Sequence, residues 1–242
     1  MMNISRTRDL TRLDISGYGI RTLAPLADMR LTYLNCSDNR LTSLNGIEGM
    51  PIKNLLCGRN QITSLEPLGS MPLQSLYCEG NPLGSLRGPD FSTMEELNCS
   101  STGLENLKEL QGSGLERLFC RDNQISDLAP LADMRLNLLD AGDNPLTSIE
   151  PLRGMPLETL LIDWTSVSDL SPIQGMPLVF LNIWECPDIS DFSVLSEMDS
   201  LESLSAPENL QFKHPKNLKN IYSGTGFLSG TEKTNSFRKK AD

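Results

Sequence analysis

Five of the six cysteines in this 242-residue chain stand 21 residues apart, and a column of thiols is the first feature that could carry chemistry. They are Cys36, Cys57, Cys78, Cys99 and Cys120. A thiolate column could hold zinc or Cu(I), but the C-x₂-C spacing typical of such sites is absent. Disulfides are disfavoured because parallel Cβ atoms on adjacent strands lie about 4.8 Å apart and an odd number leaves one thiol unpaired. We interpret all five as structural core residues, since a buried thiol packs as a small hydrophobe, and we predict no metal and no cofactor.

The other reactive side chains form no catalytic pattern. The single histidine, His214, lies in a KHPK segment outside the regular part of the chain, without a recurring acid or nucleophile beside it. Carboxylate pairs such as Asp140 with Asp163, or Asp122 with Asp143, could act as acid and base, but any acidic repeat protein offers such pairs. Phosphate-binding glycine loops and HExxH motifs are absent from the sequence. We therefore predict that the chain is not an enzyme and has no catalytic residue.

The elements that position these side chains repeat every 21 residues. Residues 31–51 read LTYLNCSDNRLTSLNGIEGMP and residues 52–72 read IKNLLCGRNQITSLEPLGSMP, and copies continue in phase to residue 177. A divergent unit precedes them, a lengthened unit follows at 178–200, and LKNI at 218–221 indicates one last strand. Self-similarity at a fixed period of about 20 to 50 residues is typical of a solenoid.

The pattern LxxLxCxxNxLxxLxPLxxMP resembles leucine-rich repeats of the short bacterial type, similar to internalin and SDS22-like repeats, over residues 10–212. This resemblance implies an α/β repeat solenoid, the leucine-rich-repeat horseshoe. Its parallel β-sheet would line the concave face, and short 3₁₀ or helical turns would form the convex face. The family is defined by its scaffold and hosts many partners, so the resemblance implies a fold more strongly than a function.

The residues of one unit explain this fold. Positions 1, 4 and 6 (Leu31, Leu34 and Cys36 in one unit) alternate with polar positions as on a strand with one buried face. Position 16 carries a proline in five units, which suits the first turn of a short 3₁₀ helix. Position 9 carries asparagines whose amides can satisfy buried turn groups of adjacent units, and we interpret them as structural. These are Asn39, Asn60, Asn81, Asn123 and Asn144.

Composition and charge limit the classes of partner that this chain can bind. The net charge is −10, and because residues 213–242 carry seven basic and two acidic side chains, residues 1–212 carry −15. An acidic body repels nucleic acid and anionic membranes, so we expect neither as a partner. Free thiols and the lack of a secretory or membrane-spanning segment favour a cytoplasmic chain, unless its natural beginning is missing.

Three regions follow from this pattern. We predict that residues 1–9 are a poorly capped N-terminal segment, that residues 10–212 carry about ten repeats, and that residues 213–242 are a C-terminal cap with a basic, partly flexible tail. Uncapped end units could stack between protomers, so both a monomer and weak self-association are consistent with the sequence.

The remaining candidate site is the concave strand face. Solvent-facing positions of the strands carry large apolar and aromatic side chains with Arg and Asp among them, and Trp, Tyr and Arg are enriched in interface hot spots. The predicted binding residues are Tyr33, Leu56, Tyr77, Phe119, Arg121, Asp140, Leu161, Asp163, Trp164, Phe180, Asn182 and Trp184. We predict a non-catalytic module that binds a protein through this face. Two alternatives stay open: a recognition domain cut from a larger signalling or effector protein, and a self-associating structural repeat protein. Trp164 and Trp184 could also merely shield the C-terminal units.

Overall fold

The computed structural model describes residues 10–207 and 212–222. Within them, eleven three-residue strands form one parallel sheet in chain order. The strands are β1 (Arg12–Asp14), β2 (Tyr33–Asn35), β3 (Asn54–Leu56), β4 (Ser75–Tyr77), β5 (Glu96–Asn98), β6 (Arg117–Phe119), β7 (Leu138–Asp140), β8 (Thr159–Leu161), β9 (Phe180–Asn182), β10 (Ser203–Ser205) and β11 (Asn220–Tyr222). The predictions for residues 1–9 and for the tail after residue 222 lie outside the described residues.

Each strand pairs in register with the equivalent residues of the next unit. Leu34 of β2 lies opposite Leu13 and Leu55, and this pattern continues through β9. The central leucines from β2 onward have no exposed surface, because stacking covers the apolar face that a single short strand cannot bury alone. The predicted solenoid with one parallel sheet is confirmed, and the strand expected at 218–221 forms as β11.

Short 3₁₀ helices return the chain on the opposite face, as predicted. They are Ala24–Leu26, Glu66–Leu68, Lys108–Leu110, Ala129–Leu131, Glu150–Leu152, Ser171–Ile173 and Ser193–Glu197. In five of them the second residue is the proline of position 16, whose fixed φ suits a first turn. Two units carry Gly46 or Gly88 at that position, with φ of 106° and 128°. There the backbone runs against the preceding unit: a Cβ on Gly46 would lie 2.7 Å from the carbonyl carbon of Leu23, and a Cβ on Gly88 would collide with the carbonyl group of Leu65.

The asparagines of position 9 form a ladder that joins successive turns. Asn60 donates from Nδ2 to the carbonyl oxygens of Cys36 and Cys57 at 3.0 Å each, and its Oδ1 accepts the Leu41 N–H at 2.9 Å. Thr102 and Thr165 replace asparagine in two units, and each hydroxyl donates to a carbonyl oxygen of its own unit. The unit before each threonine reads Asn-Pro-Leu, and there the leucine N–H bonds to the asparagine carbonyl at 2.8 Å instead.

The cysteine column lies directly beneath the strands. All six cysteines are buried and free, and the five of the column have no exposed surface. Burial raises the pKa of the Cys36 thiol to about 12 and raises the pKa of Cys57 well above its ordinary value. The Sγ of Cys78 donates to the carbonyl oxygen of Asn98 on the next strand at 3.3 Å. These thiols therefore pack as apolar side chains with weak donors.

Candidate functional site

The twelve predicted binding residues lie along the solvent-facing side of the strands and the turns that follow them, with differing exposure. Trp164 is the most exposed, at 53%. Seven are half-buried: Tyr33, Leu56, Tyr77, Arg121, Leu161, Phe180 and Trp184. Four are buried within the face: Phe119, Asp140, Asp163 and Asn182. Strand alternation predicts the side on which a residue lies, but the depth to which neighbouring rungs cover it depends on their side chains.

Arg121 joins three units in the middle of this face. It follows β6 at position 7, where the next two units carry Gly142 and Asp163. Its guanidinium crosses Gly142 and binds both carboxylate oxygens of Asp163, at 2.9 and 2.7 Å, while Nη2 also donates to Asp143 at 2.6 Å. A Cβ on Gly142 would collide with Nη1 of Arg121 and lie 2.8 Å from Oδ1 of Asp163, so the glycine makes this crossing possible.

Asp140 lies under the same guanidinium. Its Oδ1 is 3.8 Å from Nη1 of Arg121 and accepts the Gly142 N–H at 3.3 Å. In register it stands between Phe119 and Leu161. Burial raises the pKa of Asp140 to about 7, against the opposing effect of Arg121 and with a further increase from the nearby carboxylates. One guanidinium therefore pairs with three carboxyl groups, and the cluster has a net negative charge when all three are ionised.

Trp164 occupies a left-handed backbone position. Position 8 has positive φ in every unit from the first to the ninth, and the other residues there are Gly17, Asp38, Arg59, Gly80, Ser101, Asp122, Asp143 and Glu185. An exposed tryptophan at φ 59° has neither the small side chain nor the local hydrogen bonding that favours this conformation. The repeat requires the left-handed turn here, but the other units make the same turn without an aromatic residue.

Trp184 lies in the unit that follows Trp164, and the backbones of the two residues are hydrogen-bonded. The backbone N–H of Trp164 donates to the Trp184 carbonyl at 2.9 Å. The Nε1 of Trp184 is buried and has no hydrogen-bond acceptor among the described residues. A buried indole N–H without an acceptor costs about 1–3 kcal/mol.

Two further contacts of the face were not predicted. Arg117 on β6 donates to Oε2 of Glu96 on β5 at 2.7 and 3.1 Å, and Arg12 stacks over the Tyr33 ring at 4.2 Å. The residues of each pair are 21 residues apart. The sequence could have predicted both contacts from an arginine that lies one period from a carboxylate or from an aromatic residue. The Arg121–Asp163 pair is separated by two periods, with Gly142 at the same position of the unit between them. Such a pair can be predicted only by comparing three successive units at one position.

Neither a membrane-spanning helix nor a group of three metal-ligating side chains is found among residues 10–207 and 212–222. The cytoplasmic location stays a prediction.

Comparison with known proteins identifies the fold. No family model matches the chain, and no curated protein sequence matches it. Among solved structures, internalin C2 from Listeria monocytogenes is 25% identical with a TM-score of 0.63, over 84% of this chain and 83% of that one. The functional domain of InlJ from Listeria monocytogenes, described as including a cysteine ladder, is 23% identical with a TM-score of 0.66, over 92% of this chain and 55% of that one. The APL1 leucine-rich repeat domain is 19% identical with a TM-score of 0.55, over 81% of this chain and 55% of that one. The chain has the leucine-rich-repeat fold, as the resemblance in its sequence implied.

Proposed function

We propose that this protein is a non-catalytic module that binds another protein through its concave strand face. The observation that carries the proposal is Trp164, a large aromatic side chain 53% exposed in a left-handed turn where small or polar residues suffice. Its neighbour Trp184 keeps an indole N–H without an acceptor. Trp and Arg are enriched in interface hot spots, and Arg121, which binds Asp163 next to Trp164 in the chain, supplies the arginine here.

The leucine-rich-repeat fold supports the same proposal. A solenoid lines up one solvent-facing row per strand position, which produces an extended surface suited to binding a protein. The internalin neighbours share this scaffold, and a scaffold alone does not specify a partner. The binding residues of this chain therefore have to be identified from their own exposure and contacts.

The test is affinity capture from a lysate of the source cell with matched variants. Replacing Trp164 and Trp184 with alanine should abolish capture of the partner while leaving the far-ultraviolet circular dichroism unchanged. Tyr18→Ala provides the control, because Tyr18 is 79% exposed but precedes the candidate face. Capture of the same proteins by the double variant and the parent would refute this assignment.

A further inference from the structure

Charge is distributed unevenly along the concave side. We compare positions 2 to 8 of each unit, the stretch that contains the strand and the turn after it. In the first four units this stretch carries three acidic and three basic side chains, a net charge of zero. In the next five units, whose strands are β5 to β9, it carries nine acidic and two basic side chains, a net charge of −7 with every carboxyl ionised. We call this second stretch the acidic face; its residues are 95–101, 116–122, 137–143, 158–164 and 179–185.

Internal ion pairs neutralise only part of the acidic face. Arg117 pairs with Glu96, and Arg121 pairs with three aspartates. The remaining five acidic side chains are exposed and have no ion pair among the residues that the structure describes: Glu95, Glu116, Asp122, Glu158 and Glu185. The net charge of the acidic face is −7, against −10 for the whole chain. The basic side chains of the face therefore do not balance its carboxylates.

The exposed carboxylates form two rows with apolar residues between them. Glu95, Glu116 and Glu158 stand at position 2, before the strands, and Asp122 and Glu185 stand at position 8, after them. The rows lie six residues apart along the chain, which is at most about 20 Å, because the left-handed turn at position 8 shortens the extended distance. The apolar and aromatic side chains between the rows are Phe119, Leu138, Leu161 and Phe180, and Trp164 extends the row at position 8.

We infer that the partner presents apolar side chains flanked by lysine or arginine side chains, and that it docks across β5 to β9. The inference rests on the proposed function and adds the chemistry of the partner. A neutral or acidic surface would desolvate or repel the five unpaired carboxylates, whereas a basic one neutralises them and is attracted from a distance. Apolar anchors then contact the central residues, where the side chains are already packed and partly dehydrated. The neutral first four units offer no comparable attraction.

Peptide selection on the full chain tests this chemistry directly. A displayed library of random peptides of about 12 residues, enough to cross the roughly 20 Å spanned by five strands, is selected on the immobilised protein at low salt. The expected peptides contain more Lys and Arg than Asp and Glu, with apolar residues between them. Raising the salt from about 50 to about 500 mM should weaken their binding by about tenfold, because the Debye length shortens from roughly 14 to 4 Å.

Two matched triple variants locate the site. Glu95→Gln, Glu116→Gln and Glu158→Gln together should weaken the selected peptides by about fivefold or more. The control replaces three exposed carboxylates outside the acidic face, Glu66, Glu105 and Glu197, with glutamine, and should leave their binding unchanged. Equal loss in both variants would show attraction to overall charge and overturn the inference.

The outcomes separate this inference from the proposed function. Peptides without a basic excess that still lose binding on Trp164→Ala would overturn the partner chemistry and leave the binding face in place. Basic peptides that bind Trp164→Ala as tightly as the parent would overturn the location. A library that yields no binder would overturn a short basic segment as the partner, while the lysate capture still tests the face.

Discussion

Replacing Arg121 with alanine should destabilise the protein by about 3 kcal/mol, because one guanidinium compensates three carboxyl groups. The Arg121 side chain is only 17% exposed, and the variant would leave Asp163 and Asp140 buried without their cation. Removing one partner of a buried pair costs about 3–5 kcal/mol, and the lower end applies because the side chain of Asp143 is 41% exposed and water can reach it.

Arg153→Ala is the matched control. Arg153 makes an equally short bidentate pair with Glu150, at 2.7 Å from both nitrogens, but on the exposed convex side. Both arginines thus bind a carboxylate through two nitrogens, but the Arg153–Glu150 pair is exposed, so Arg153→Ala should leave the free energy of unfolding unchanged within error. Urea unfolding followed by circular dichroism measures both variants. If Arg121→Ala loses no more free energy of unfolding than Arg153→Ala, the cluster does not depend on its guanidinium and the reasoning fails.

Three further predictions concern the scaffold. Asp140→Asn should alter the pH dependence of stability. The pKa of Asp140 is raised from 3.8 to about 7, so its stabilising effect is full below about pH 4 and is lost as the pH rises through about 7, a difference on the order of 4 kcal/mol. In urea unfolding, the free energy of unfolding of the variant should therefore rise relative to that of the parent between pH 4 and pH 8. A difference between the two that does not change with pH would contradict this. Asn60→Ala should cost about 3 kcal/mol of unfolding free energy, since it removes the acceptor and donors of three buried backbone groups, while Asn60→Thr should cost less, as threonine fills this slot in two units. The cysteines should not react with a thiol reagent at pH 8 until the chain unfolds, and labelling of native Cys57 would contradict its burial.

Much of the fold follows from the sequence because each level of the repeat agrees with the next. The leucines of positions 1 and 4, the cysteine of position 6 and the asparagine of position 9 recur in phase, so one unit specifies the register of all the others. The proline of position 16 predicts the 3₁₀ helix where it occurs. The units with Gly46 and Gly88 depart from this pattern, because these glycines have positive φ, whereas a 3₁₀ helix requires negative φ.

The candidate site was less predictable. The period assigns Phe119, Asp140 and Asp163 to the solvent-facing side, yet they are buried, because side chains of neighbouring rungs close over them. The crossing of Arg121 over Gly142 depends on a three-unit combination that no single unit contains. The left-handed turn at Trp164 recurs in eight other units, so its backbone conformation was implied by the repeat, whereas the exposure of the indole was known only from the structure.

The most direct test of the central claim uses the two tryptophans of the chain, since both lie in the candidate face. The protein is labelled with 5-fluorotryptophan, and its two ¹⁹F resonances are assigned with Trp164→Phe and Trp184→Phe. Addition of the captured partner should shift or broaden both resonances in proportion to the bound fraction. A partner that binds while both resonances stay unchanged would contradict binding through this face.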